Sequence, residues 1–143
     1  SKRQTLNQVF QRCQQDLNQL AQQQGKPVHI EIKNSEVVVD QVLATQLYTP
    51  LQYLVHNAFC QDIEIPAVRR QHGKPAVGKI QLAAKQTQQQ LVLCVWDNGC
   101  GPNPAAAWQH ICPTIETLQG TVTAAYYPGK GTCFTLKIPT GEN

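Results

Sequence analysis

A two-layer α+β sandwich, in which a mixed, mostly antiparallel sheet carries helices on one face, is the architecture this sequence predicts. Three observations predict it. Apolar residues recur at helical steps in the first half of the chain, and alternating strand-like segments dominate the second half. The length of 143 residues is enough to close one core and too short for two full domains.

The first helix is expected from about Thr5 to Gln24, because Leu6, Val9, Phe10, Cys13, Leu17, Leu20 and Ala21 form one apolar stripe that Gly25 and Pro27 end. Val28, Ile30 and Ile32 alternate with polar residues, and Asn34-Ser35 turns the chain toward Val37-Val38-Val39, which reads as a short hairpin. Asp40 has the chemistry of an N-cap. Helical periodicity then runs from Gln41 to Cys60, with Leu51, Leu54, Val55 and Ala58 on the buried face, and Pro50 is expected to break or kink it. Residues Ile63 to Pro75 read as a polar loop punctuated by proline.

Two strands near Lys79 to Ala84 and Leu91 to Trp96, joined by a glutamine-rich turn, are expected to pair antiparallel. Asp97-Asn98-Gly99-Cys100-Gly101-Pro102 is a tight loop. Pro104 opens a helix that runs to about Leu118 and is stopped by Gly120. The last strands are Thr121 to Tyr127 and Thr132 to Pro139. Residues 1–143 show no internal repeat or linker and are expected to form a single domain, and the absence of methionine suggests a piece excised from a longer multidomain chain.

Composition narrows the function. Apolar residues make up 41% and charged residues 15%, which is globular usage. The balance of 12 Lys+Arg against 9 Asp+Glu gives +3 without any basic cluster interleaved with aromatics, so nucleic acid is not an expected partner. No apolar run approaches the roughly 20 residues of a membrane span, and the polar start is unlike a secretory signal. The six cysteines (Cys13, Cys60, Cys94, Cys100, Cys112, Cys133) are scattered without metal-finger spacing, as expected of free thiols in a cytoplasmic protein.

The most informative loop is Asp97-x-Gly99-x-Gly101. A carboxylate leaving a buried strand, followed by two residues without side-chain bulk, allows backbone to approach a flat ligand while the aspartate accepts from an amino group. Alone the pattern is that of an ordinary turn. Its flanks give it meaning. Leu51-Gln-Tyr-Leu-Val-His-Asn-Ala-Phe-Cys-Gln-Asp-Ile-Glu64, then Pro66, Arg69 and Gly73-Lys74-Pro75-x-x-Gly78, resembles the asparagine-box region of chemotaxis histidine kinases, the CheA family. That region reads L-x-H-L-x-R-N-x-x-D-H-G-I-E-x-P, then R-x-x-x-G-K-P-x-x-G. The Asp97 loop resembles the family's first glycine box. Ile115 to Gly120, and Gly129-Lys130-Gly131-Thr132 before Phe134 to Pro139, resemble its closing helix, strand and third glycine box.

The resemblance implies a GHKL/Bergerat-type ATPase fold, with nucleotide between the helical layer and the sheet. It implies that Asn57 holds the Mg²⁺ bridging the phosphates, that Asp97 bonds the adenine amino group, that Gly99 and Gly101 border the base, and that Thr132 assists at the adenine end. An amide oxygen is a reasonable ligand for a hard cation. The implied partners are a phospho-acceptor histidine domain, a response regulator, and a receptor or coupling protein.

Departures from the pattern fall on the phosphate side. Tyr53 stands where the family has a histidine, and a phenol is a poor base at neutral pH. Cys60 and Gln61 replace an Asp-His pair, and His56 replaces an arginine. Only Pro102 and Asn103 separate Gly101 from Pro104, where the family has a long lid, and Ala105 and Ala107 fall where its second glycine box has glycines. A triphosphate would lack its enclosing amide donors. The expected function is therefore the ATP-binding domain of a CheA-like histidine kinase in two-component signalling, with weakened nucleotide binding and kinase activity. The alternatives are a pseudokinase that docks signalling partners without ATP, and a lidless nucleotide sensor.

Overall fold

A computed structural model describes residues 2–101 and 104–141, with only the backbone for 104–108. Pro102 and Asn103, and the side chains of Ala105, Ala107 and Trp108, thus lie outside the described residues. The chain runs β1 (Arg3–Thr5), α1 (Leu6–Gln24), β2 (Val28–Lys33), β3 (Val38–Asp40), α2 (Gln41–Asn57), a π-helical turn (Ala58–Asp62), α3 (Pro66–Gln71), β4 (Gly78–Gln86), β5 (Gln90–Asp97), α4 (Pro104–Thr117), β6 (Thr121–Tyr127) and β7 (Gly131–Pro139). The main sheet has the order β2-β4-β5-β7-β6, and β1 pairs separately with β3. Only the β2-β4 pair is parallel in the main sheet, so it is mixed and mostly antiparallel, as expected.

The helical layer follows from the stripes read above. α1 buries Leu6, Val9, Phe10, Cys13, Leu17 and Ala21. Gly25 ends it in the left-handed region, φ 64°, where its amide returns to the carbonyls of Ala21 and Gln22. Asp40 caps α2 by accepting from the Val42 amide at 2.7 Å. Alternation along β4 and β5 points Ile80, Leu82, Leu91 and Leu93 into the core with the helices.

Three local expectations are corrected. The segment from Val28 to Val39 is not a hairpin: β2 lies parallel to β4, with Ile30 opposite Ile80, whereas β3 joins the unforeseen β1. The free amides at the start of α1 decide this, because Leu6 donates to the Val37 carbonyl at 2.9 Å and Asn7 to that of Ser35 at 2.7 Å, drawing 35–37 away from β2. Pro50 does not end α2. It sits buried within the helix, where packing beside Leu47, Leu51 and Leu54 offsets the roughly 3 kcal/mol cost of an interior proline. Finally, part of the expected loop forms α3, with Pro66 in its first turn and Arg69 buried beneath it.

Candidate functional site

Asp97 is the last residue of β5 and is 2% exposed. In register it is flanked by Ile80 on β4 and Thr132 on β7. Its Oδ1 accepts from the Gly99 amide at 2.9 Å, so the loop closes on its own aspartate. Thr132 Oγ1 is buried beside it without a hydrogen-bond partner. The sheet therefore brings Asp97, Gly99 and Thr132 together.

Against this cluster packs the turn that follows α2. The Ile63 amide reaches back to the Ala58 carbonyl at 2.9 Å, a wide π-helical closure that delivers Asp62 to the end of β5. Asp62 is 1% exposed, its carboxyl is close enough to that of Asp97 for each to shift the other, and its Oδ1 has no hydrogen-bond partner. The Asp62 carbonyl accepts from the Cys100 amide at 2.9 Å. A side chain at Gly99 would come within 2.2 Å of that carbonyl oxygen, so only glycine allows the approach. Gly101, at φ +84°, lies against the Tyr126 ring, whose hydroxyl donates to the Cys100 carbonyl at 3.0 Å.

Burial and the neighbouring carboxyl raise Asp97 to about 8, and burial raises Asp62 as well. Two buried carboxyls in contact cannot both carry charge cheaply, so the pair retains one proton.

Asn57 ends α2, half-buried, five residues before Asp62. Its amide oxygen is a competent hard-cation donor. Tyr53, one turn earlier, stacks on His110 of α4 with ring centroids 3.9 Å apart and planes 10° from parallel. The exposed His56 places Nδ1 3.7 Å from Cys60 Sγ. Among the described residues, no three His, Cys, Asp or Glu side chains cluster as a metal site.

No family model matches the chain. Over 95 residues it is 32% identical to the chemotaxis protein CheA of Bacillus subtilis, covering 66% of this chain and 14% of that protein. Over 82 residues it is 34% identical to CheA of Halobacterium salinarum, covering 57% and 12%. Its backbone matches the catalytic domain of histidine kinase ThkA at a TM-score of 0.68 and 17% identity, covering 98% of this chain and 95% of that one. A histidine kinase domain from the blue-light activated kinase of Erythrobacter litoralis gives 0.68 at 16% identity, covering 92% and 64%. The chain is a CheA-type domain with the histidine-kinase catalytic fold. It spans 12 to 14% of the length of these two CheA relatives.

The motif residues of the CheA-type domain divide into two groups. Glu64, Arg69 and Lys74 build a clamp beneath the Asp97 loop. Arg69 Nη1 donates to Glu64 Oε1 at 2.8 Å and to the Asn98 carbonyl at 3.3 Å, its Nε donates to the Pro75 carbonyl at 2.7 Å, and Lys74 Nζ donates to Glu64 Oε2 at 2.8 Å. Asn98 Oδ1 in turn accepts from the Lys79 amide at 2.8 Å, which pins the loop to β4. These residues position the loop. Of the second group, Asp97, Gly99 and Thr132 meet at the ends of β5 and β7, Gly101 lies against Tyr126, and Asn57 stands apart at the end of α2.

Reading the sequence for site residues overlooked Asp62. Its signal was present, because Asp62 falls where the quoted CheA-family pattern carries glycine. It was also hidden, since nothing in the sequence says that a π-helical turn carries position 62 onto Asp97.

Proposed function

We propose that this chain is the ATP-binding domain of a CheA-like sensor histidine kinase in cytoplasmic two-component signalling, with nucleotide binding and kinase activity weakened on the phosphate side. The observation that supports the reading is Asp97, buried at the strand end with the unpaired Thr132 hydroxyl directly opposite and glycine backbone beside it. Buried polar atoms without partners are costly unless a ligand or water completes them. An adenine amino group offers the donor that this acceptor cluster lacks.

The residues present fit a magnesium nucleotide at both ends. Asp97, Gly99, Gly101 and Thr132 would hold and border the base, and Asn57 would supply an oxygen to the magnesium ion. When bound, that ion would neutralise charge on the phosphates. The chain's own contributions are orientation of the base and exclusion of water from the sheet end. Its acid-base contribution is small: Tyr53 is held flat against His110, and Cys60 and Gln61 offer neither carboxylate nor imidazole. Partners of the intact signalling protein would be a phospho-acceptor histidine domain, a response regulator, and a receptor or coupling protein. None of His29, His56, His72 and His110 lies in an acceptor motif, so the phosphoryl acceptor would be supplied by another domain.

Thermal unfolding with and without Mg-ATP tests this. Millimolar Mg-ATP is expected to raise the melting temperature, and Asp97→Ala to abolish the rise. Pairing of Asp62 with Asp97 favours a second reading, a pseudokinase docking module that completes its base end internally. No thermal shift in the wild type, even at millimolar Mg-ATP, would support that reading. A shift without label transfer to a supplied acceptor domain would support the nucleotide sensor.

A further inference from the structure

Asp62 is not explained by packing alone. A buried carboxyl with an unpartnered Oδ1 is an unfavourable choice at a position where the motif has glycine, unless the carboxyl acts on its neighbour. That neighbour is the residue assigned to the base. Asp97 already accepts from Gly99 through Oδ1, and Asp62, whose backbone carbonyl holds the Cys100 amide of the same loop, sets a second buried carboxyl beside it. An incoming amino group therefore meets an occupied carboxyl.

We propose that Asp62 is an internal gate on nucleotide binding: its carboxyl shares a proton with Asp97 and takes the hydrogen-bonding edge that a nucleobase would use, so that nucleotide and proton compete for Asp97. This rests on the nucleotide reading above. With the proton in place the pair is satisfied and the base is refused. Loss of the proton leaves two adjacent carboxylates that repel one another, which frees Asp97 as an acceptor.

The charged surroundings support proton sharing. Glu64, on the segment leaving the π turn, adds negative potential to both aspartates, and its own countercharges, Arg69 and Lys74, are directed at Glu64 and at the Asn98 carbonyl. Across the pair, β4 contributes the apolar Ile80 and β7 contributes Thr132, with Cys133 next to it close enough to feel the charge on Asp97. α2 supplies the uncharged Asn57 above the turn.

Calorimetric titration of the whole chain with Mg-ATP, from about pH 6 to about pH 9, tests the gate in the wild type, Asp62→Gly and Asp62→Asn. Wild-type affinity should rise by up to about tenfold per pH unit below pH 8, with one proton more released per nucleotide than in either variant, measured in buffers of different ionisation heat. Asp62→Gly should bind more tightly at neutral pH, and both variants, having lost the shared proton, should keep only the shallow pH slope of the nucleotide itself. The asparagine variant preserves side-chain size if glycine loosens the turn. Equal affinity, slope and proton release in all three proteins would overturn the gate while leaving the nucleotide reading intact. Absence of binding in all three at every pH would overturn the nucleotide reading and the gate with it.

Discussion

Arg69 and Glu64 form a fully buried ion pair, Nη1 to Oε1 at 2.8 Å, directly beneath the loop that carries Asp97. A charge held this way stabilises the fold only while its partner remains. Arg69→Met is expected to destabilise the domain by about 3–5 kcal/mol, because Glu64 is left with Lys74 alone and the Asn98 and Pro75 carbonyls lose a donor. The double change Glu64→Gln with Arg69→Met should cost clearly less than the sum of the single changes. Urea unfolding of the three variants measures it, and strict additivity would show that the pair is not coupled.

Stability should fall as pH rises from acid toward pH 8. Asp97 moves from 3.8 to about 8 on folding, so between those values the native state holds a proton that the unfolded chain has released. Folding is then linked to proton uptake, and stability declines by up to about 1.4 kcal/mol per pH unit through that window. Asp62 is shifted in the same direction. Glu64 works oppositely: burial pushes it up, but Lys74, its backbone hydrogen bond and Arg69 together hold it below its ordinary 4.5, and the stability it contributes is lost as pH falls below that value. A maximum near about pH 4, where the two opposing slopes cancel, is expected in urea unfolding across pH, and Asp97→Asn should flatten the alkaline limb. An unchanged limb in that variant would remove the aspartate pair as its cause.

Asn57 and Asp97 should separate by metal dependence. With ADP as ligand, Asn57→Ala is expected to leave a small thermal shift that is the same in magnesium and in chelator, whereas Asp97→Ala abolishes the shift in both. A magnesium-dependent shift persisting in Asn57→Ala would relocate the cation.

The Tyr53-His110 stack joins α2 to α4 next to the site. Replacing either ring by alanine is expected to cost about 1–2 kcal/mol, with a double-mutant coupling of about 0.5–1.5 kcal/mol. Zero coupling would mean that the stack contributes nothing beyond separate burial.

Much of this molecule was legible in its sequence. The stripe from Leu6 to Ala21, the Asp40 cap, the paired strands β4 and β5 and the closing strands are all local patterns with a single physical reading, and they formed as expected. What escaped was decided at a distance. β2 turned from hairpin to parallel partner because the start of α1 needed acceptors from 35–37, and Pro50 stayed helical because the core around Leu51 and Leu54 held it. At the site, residue types singled out Asp97 and Gly99, the CheA resemblance added Thr132, and topology set the three side by side. The partnership of Asp62 with Asp97 was illegible, because a widened helical turn has no periodic signature.

Backbone-amide NMR of the labelled chain above about pH 8, where the aspartate pair should lose its proton, tests the central claim most directly. Adding Mg-ATP should move the resonances of Asn57, Asp62, Asp97, Gly99, Gly101 and Thr132 together in one saturating transition. Shifts confined to the outer faces of α1 and the sheet, or no shifts at millimolar nucleotide, would contradict an adenine site at Asp97.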